Sequence, residues 1–491
     1  MSVIKKLAGE TALYGLSSIL ARFVNFLLVP LHTSVFLRSD YGVVGQLFGW
    51  IGLGIVFYTW RMEAAYFRYA SNDAGSKSYA NAKSFVLLAA ILFSVIFILL
   101  SPQVAHWLDI DGYDQLIKYA AGIMALDAIC ELPFARLRLQ NRPIKFVSIK
   151  IVNIITNVAL NYFFLWWLPH QNHNVGDATT KISLVFLSNF IASIVTILLL
   201  SKEYFAQGFK IELPELQKIL TYCWPLLPVG LAAVMNDAMT RQLLGWLVPG
   251  NITEKQNIMG EYNACVKFGV FISLFSQAFR YAAEPFFFKH MHTQNAKADY
   301  SKITTYFTMF TMLGFVAILF FLDYFKSYVI KNPAYLNAVG VVPVVLLANV
   351  FLGIYYNVSN WYRLTDKTRY GMYSALIGVG LTILFNILLV PRFGAMGTAW
   401  SMLICYFGMT AITYWWGQKY YPVPFELTKI LMAILGGILI YYLSNVLNDR
   451  FHTSLLTKFI LNTVLFIVYL IVFQWPMVKL VFVNENKIEK D

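Results

Sequence analysis

The sequence predicts an all-α polytopic membrane protein with about fourteen spanning helices. Three observations carry this. Of the 491 residues only 13% are charged, about half the roughly 25% that a soluble domain uses to cover its surface. Mean hydropathy is +0.61. Apolar runs of about 20 residues, the length that crosses a hydrocarbon core, recur from one end of the chain to the other. Backbone polar groups in lipid must be satisfied within the segment. These runs are longer than the roughly 10-residue alternating strands of an outer-membrane barrel, so helices follow.

Between polar punctuation the spans fall at 11–31, 41–60, 84–101, 116–135, 146–168, 182–200, 221–248, 262–279, 303–323, 337–357, 371–391, 396–417, 427–447 and 459–478. The joining loops are short and leave no room for a soluble domain. Lys5 and Lys6 precede the first apolar stretch in the manner of a signal peptide. No small-residue cleavage site follows before Pro30, so the stretch reads as a span that stays.

The net charge of +13 would suggest nucleic acid in a soluble protein. Here it is a topology signal, and nucleic acid is not an expected partner. Alternate loops, with the first few residues of the spans beside them, carry 26 and 9 of the Lys and Arg residues, and this bias places both termini in the cytoplasm. The four cysteines, Cys130, Cys223, Cys265 and Cys405, show no metal-ligand or disulfide spacing. Neither a nucleophile elbow nor a P-loop occurs. No metal, cofactor, catalytic residue or ATP-driven step is expected, and the chain does not read as an enzyme.

Displaced by 225 residues, the sequence repeats itself. Arg138-Leu139-Gln140-Asn141-Arg142 falls over Arg363-Leu364-Thr365-Asp366-Lys367, and Asn161 over Asn386. Hydropathy recurs likewise, spans 1–6 then 7–12. An even number of spans per unit makes the copies parallel, related by an axis along the membrane normal. The expected division is 1–210, 211–420 and an appendix of two spans at 421–491.

Two six-helix lobes plus two helices resemble the multidrug/oligosaccharidyl-lipid/polysaccharide (MOP) exporter superfamily. Asn386-Ile387-Leu388-Leu389-Val390-Pro391-Arg392-Phe393-Gly394-Ala395-Met396-Gly397-Thr398-Ala399 is similar to the hallmark joining spans 11 and 12 in its polysaccharide-flippase branch. Tyr41-Gly42, Gly260-Glu261-Tyr262-Asn263 and Ala283-Glu284-Pro285-Phe286 are similar to further motifs of that branch. The resemblance implies flipping of undecaprenyl-pyrophosphate-linked oligosaccharide, the O-antigen and lipopolysaccharide class, by alternating access. The direction would be from the cytoplasmic to the outer leaflet of a bacterial inner membrane. Partners would be the lipid-linked glycan, membrane lipids and glycan polymerase machinery.

Arg22, Arg241 and Lys267 lie within spans, each at a cost of about 2.5–3.5 kcal/mol at a helix centre, so each needs a cavity or a partner. Thr11, Tyr14, Ser18, Arg22 and Asn25 recur every three to four positions and draw one polar stripe on span 1. By resemblance, spans 1, 2, 7 and 8 line the cleft between lobes, and lipid II flippases are similar in carrying essential cations there. On that pattern Arg22, Lys267 and Arg61 meet the pyrophosphate, with Arg241 and Asn25 beside them. Blander readings stand alongside. Arg241 has Asp237 one helical turn before it and pairs with it, Lys267 snorkels, and Arg61 sits at the membrane edge with Glu63 and Arg68. Asp127 and Glu131, an i,i+4 pair in span 4, together with Asp237 are the candidates for a coupling ion. Ion pairing with the Arg136 region or ordinary helix–helix hydrogen bonding is the preferred reading of the first two. A multidrug or cation exporter would need an acidic cleft, and a glycan polymerase or ligase a sizeable outer loop.

Overall fold

The computed structural model describes residues 26–69, 75–140, 142–171, 175–224, 226–290, 295–365, 367–451 and 454–474. Those residues form a helical membrane protein, with ten helices long and apolar enough to cross a membrane. The first helices are α1 (Leu28–Val35), α2 (Arg38–Thr59), α3 (Gly75–Leu99), α4 (Asp114–Leu139), α5 (Pro143–Tyr162) and α6 (Ala178–Leu199). Next come α7 (Leu226–Leu247), α8 (Ile252–Val266), α9 (Ala296–Val329) and α10 (Val341–Val358). The last are α11 (Arg369–Tyr420), α12 (Leu427–Arg450) and α13 (Leu455–Phe473). At 22 residues α7 is about 33 Å long and also matches a span.

α11 carries the expected spans 11 and 12 on two arms. The fold between them is at Gly394, whose φ of +52° is left-handed, a region glycine enters without steric cost. Span 7 was expected over 221–248, with prolines that break its backbone ladder. One helix ends at Cys223 and α7 begins at Leu226. Pro228 then sits in the first turn of α7, where a missing N–H costs no hydrogen bond.

α2, α3, α5 and α6 pack around α4, and α9, α10, α11 and α7 pack on one another. The two groups meet where α2 lies along α7 and α8. The buried core is continuous across that junction, including Leu47, Tyr58, Leu244 and Phe268.

The bundle has two dissimilar rims. The basic rim bears 61–69, 136–145, 280–290 and 363–369. Here Lys83 is buried with its ammonium over the Phe209 ring at 4.3 Å and donates to the Tyr204 carbonyl at 2.7 Å, tying the 201–212 segment to α3. The far rim bears the helix starts after Asp177, Asn251 and Ser454. The side chains of these three residues accept N–H groups of the first turn at 2.9–3.3 Å, satisfying donors that a helix N-terminus leaves orphaned.

At the far rim α2 and α8 touch backbone to backbone. A Cβ on Gly260 would stand 1.9 Å from the Arg38 carbonyl oxygen, and one on Gly42 would stand 2.2 Å from that of Gln256. Arg38 Nη1 pairs with Glu261 Oε1, which also accepts from Asn337 Nδ2 at 3.2 Å. Tyr335 donates its hydroxyl toward the Phe36 and Leu37 carbonyls, both at 2.9 Å. Trp50, Trp107 and Trp246 cluster nearby with ring centroids 5.0–6.2 Å apart.

Candidate functional site: two cavities sharing a cationic wall

The far-rim contact roofs two cavities. The larger, about 1020 Å³, is lined by Arg241, Lys267, Ser273, Asn349, Tyr355, Tyr356, Tyr362, Arg363, Arg369 and Tyr406 among others. Its deep end is where Gly269 meets Asn349, close enough that a Cβ would lie 2.8 Å from Asn349 Nδ2. Arg363 is 14 residues further along the continuous helical stretch Val341–Leu364, or roughly 21 Å at 1.5 Å per residue. Arg363 is half-buried and Arg369 exposed, so the mouth lies at the basic rim. The smaller cavity, about 240 Å³, lies against α1, α2, α5, α6 and α8 and is lined by His32, Tyr41, Asn157, Asn161, Asn189 and Asn263 with Arg241 and Lys267.

Arg241 and Lys267 thus stand in the walls of both cavities. Local geometry explains Lys267. It opens a single 3₁₀ turn, Lys267–Gly269, between α8 and the following helix Val270–His290. Tightening one turn rotates the side chains after it relative to those before. Among the described lining residues of either cavity there is no aspartate or glutamate. The large cavity has four cations and the small one two, both the shared pair. Near a surface at an effective dielectric of 20, a unit charge pair at 4 Å is worth about 4 kcal/mol. The described wall of the chamber is therefore cationic, and Arg241, Lys267 and Arg363 each make further interactions besides.

The other expected site residues fall elsewhere. Arg22 and Asn25 lie outside the described residues, as does the side chain of Asp237. Arg61 lines neither cavity. It follows Trp60 at the end of α2, both with left-handed φ, +50° and +56°. Its side chain lies on Gly230 of α7, where a Cβ would stand 3.1 Å from Arg61 Cδ. Non-glycine residues rarely adopt this backbone, and sequence alone gives no sign of it. The two turn the chain sharply into 62–69, where Glu63 pairs with Arg138. Glu131 belongs to this basic-rim network, beside Glu63, Thr59 and Arg61. Asp127 is exposed at the bundle surface and accepts from Ser193 Oγ at 2.7 Å. Both acids lie outside the two cavities.

Sequence reasoning did not single out Arg369, the tyrosines or the four asparagines as site residues. Arg363 and Asn161 had already appeared in the 225-residue repeat. Asn161 and Asn386 are both buried and each donates to the carbonyl four residues back, at 2.8 and 2.7 Å.

No family model matches the chain. An uncharacterized membrane protein of Methanocaldococcus jannaschii is 22% identical over 506 aligned residues, covering 96% of each chain. The solved lipid II flippase MurJ, in an inward closed conformation, superposes with a TM-score of 0.72 at 13% identity, over 95% of this chain and 99% of its own. The chain has the MurJ fold. The same fold, more distantly, is that of other MOP-superfamily structures. A transporter from Pyrococcus furiosus, described as having a binding pocket of reverse polarity, matches with a TM-score of 0.56 at 13% identity over 85% of this chain and 94% of its own. The Vibrio cholerae MATE transporter VcmN in its bent form gives 0.53 at 13% identity over 85% and 97%.

Proposed function

We propose that this protein is a flippase for an undecaprenyl-pyrophosphate-linked oligosaccharide, with the basic rim cytoplasmic and the far rim outside. The observation that carries the reading is the large cavity, open at the basic rim, with four cations and no carboxylate among its described lining residues. A diphosphate headgroup would enter past Arg363 and Arg369 and come to rest at Arg241 and Lys267. Guanidinium groups suit phosphate through paired donors, and the ammonium acts as a point charge. The polyprenyl tail stays in lipid. The two helix groups, read as lobes 1–210 and 211–420 with an appendix at 421–491, would alternate between openings at either rim. The reaction is transport rather than catalysis, in a bacterial inner membrane, with a glycan polymerase as the downstream partner. The likeness to a lipid II flippase supports this reading, as does the positive-inside bias.

A multidrug or cation exporter, the function class of the MATE neighbour, is the runner-up, and the polarity of the cavity opposes it. Translocation in reconstituted vesicles decides between them. A fluorescent undecaprenyl diphosphate disaccharide should cross to the dithionite-accessible leaflet faster than in protein-free vesicles. Replacing Arg241 and Lys267 together by Gln should slow it by roughly 100-fold or more, at about 1.5–3 kcal/mol for each lost charged hydrogen bond. No translocation of the glycolipid, with export of ethidium instead, would sink the reading.

A further inference from the structure

We propose that a third cavity, at the far rim between α9, α12 and α13, binds the phosphodiester headgroup of an anionic phospholipid. It shares no lining residue with the two cavities above, and the proposal does not rest on the transport reading.

The cavity measures about 220 Å³, with Asp323, Lys326, Tyr441, Asn445, Lys458 and Asn462 in its walls. Its frame is pinned at several points. Tyr324 donates its hydroxyl to the Leu455 carbonyl at 2.6 Å, fastening the first turn of α13 to α9. Asn462 Nδ2 donates to the Phe320 carbonyl at 2.8 Å, and Asn462 Oδ1 accepts from Ser444 Oγ at 2.6 Å. These bonds join three helices, and none of them goes to a lysine.

The charges in the wall do not balance. Asp323 Oδ1 accepts from Lys326 Nζ at 2.5 Å, and Asp323 Oδ2 pairs with Lys458 Nζ. One carboxylate thus serves two ammonium groups, each of which has three N–H donors. Among the described lining residues there is no other charge, so one positive charge is left over. The two lysine side chains are 26% and 27% exposed, open enough for an anion to reach them. Lys458 also follows the Ser454 cap by only four residues, at the positive end of the helix dipole, where a lysine is disfavoured. Packing gives no reason for a cation there. One monoanion completes the set. A phosphodiester carries a single negative charge and can accept from both ammonium groups at once.

The surroundings favour a lipid as the source of that group. Asn445 in the cavity wall is followed, at seven-residue steps back along α12, by Ile438 and Leu431. Seven residues are close to two full turns, so all three lie on one side of the helix, and Ile438 and Leu431 are exposed. The lip of the cavity therefore runs onto a lipid-facing stripe that an acyl chain can follow. Tyr328 and Tyr442 are exposed toward the same ends of α9 and α12, as aromatic residues are at headgroup level. A zwitterionic headgroup fits less well, because its own ammonium would add a like charge beside two lysines.

Native mass spectrometry of the purified full chain tests this, with titrations of phosphatidylglycerol and of phosphatidylethanolamine bearing the same acyl chains. The native protein should bind the first phosphatidylglycerol roughly tenfold tighter. Asp323→Asn, Lys326→Gln and Lys458→Gln together remove the surplus charge without stranding an unpaired one. That triple variant should lose the preference while its affinity for phosphatidylethanolamine stays put and shows that it is folded. Lys458→Arg keeps the charge and should keep the preference. Asp323→Asn alone raises the surplus and should tighten phosphatidylglycerol binding beyond the native value. Equal native affinity for the two lipids, a preference that survives the triple replacement, or weaker phosphatidylglycerol binding by Asp323→Asn overturns the site. Displacement of the bound lipid by inorganic phosphate overturns the lipid assignment in favour of a free anion.

Discussion

Arg38 and Glu261 join the two helix groups at the far rim by an ion pair that Asn337 braces from the 3₁₀ turn Pro333–Ala338, just before α10. Glu261 is the more buried partner, with 11% of its side chain exposed against 32% for Arg38. Glu261→Gln should weaken closure of this rim by about 1–3 kcal/mol, since a hydrogen bond to a charged group is being replaced by a neutral one. Spin labels placed on the 104–112 and 330–337 segments should report a longer mean separation. The exchange Arg38→Glu with Glu261→Arg should restore much of the native distance, as coupled neighbours do. An unchanged distance in Glu261→Gln would leave the pair without a role in closure.

Gly260→Ala tests the contact beneath that pair. The added methyl would lie 1.9 Å from the Arg38 carbonyl oxygen, which is backbone and cannot rotate away. Overpacking of this kind costs about 1–3 kcal/mol. The far rim should be held apart, and a disulfide engineered across it should form more slowly than in the native protein. Glycine to alanine at 380, where a Cβ meets nothing within 4 Å, is the control.

Arg363 and Arg369 at the mouth should act on rate of capture rather than on translocation itself. Their double replacement by Gln should lower the association rate of the glycolipid, and the native rate should fall with added salt, because exposed charges act through screened long-range attraction. Rates measured at about 10 mM and 150 mM salt should converge between native and variant, as screening over a Debye length of about 8 Å at the higher value requires. A variant that loses the same factor at both salts would place these arginines in direct contact with cargo.

Sidedness is open to direct labelling. The four cysteines are buried and can be replaced to give a reporter-free background. A single cysteine at Lys255 should react with an impermeant maleimide in intact cells, and one at Lys145 only after permeabilisation. Labelling of position 145 from outside would invert the orientation.

What the sequence disclosed follows from what lipid makes costly. A charge in a span is expensive, so Arg241 and Lys267 stood out against their apolar neighbours, and both line the cavities. A helix facing lipid and a helix facing another helix are equally apolar, because no hydrophobic difference separates the two surroundings. Tyr355, Tyr362 and Tyr406 were therefore indistinguishable from packing residues, and only the fold shows which face of α10 and α11 looks inward. Arg61 falls away from both cavities for a different reason. Its position at the end of span 2 was right, but a left-handed backbone turns it onto Gly230. Residue type carried no trace of that. The hairpin at Gly394 was legible because a proline and two glycines within seven residues interrupt an apolar run.

The bare backbone of Gly42 and Gly260 has one more consequence. When side chains interlock, closing a joint freezes their rotamers and opening it must disentangle them. Here the two glycines bring no side chain of their own to the contact, so the entropy lost on closing falls on the flanking Arg38, Glu261 and Asn337 alone, and parting exposes peptide groups that water can solvate at once. Such a joint wears no memory of its last movement. In the proposed flippase cycle only the flanking Arg38–Glu261 pair would have to part and re-form.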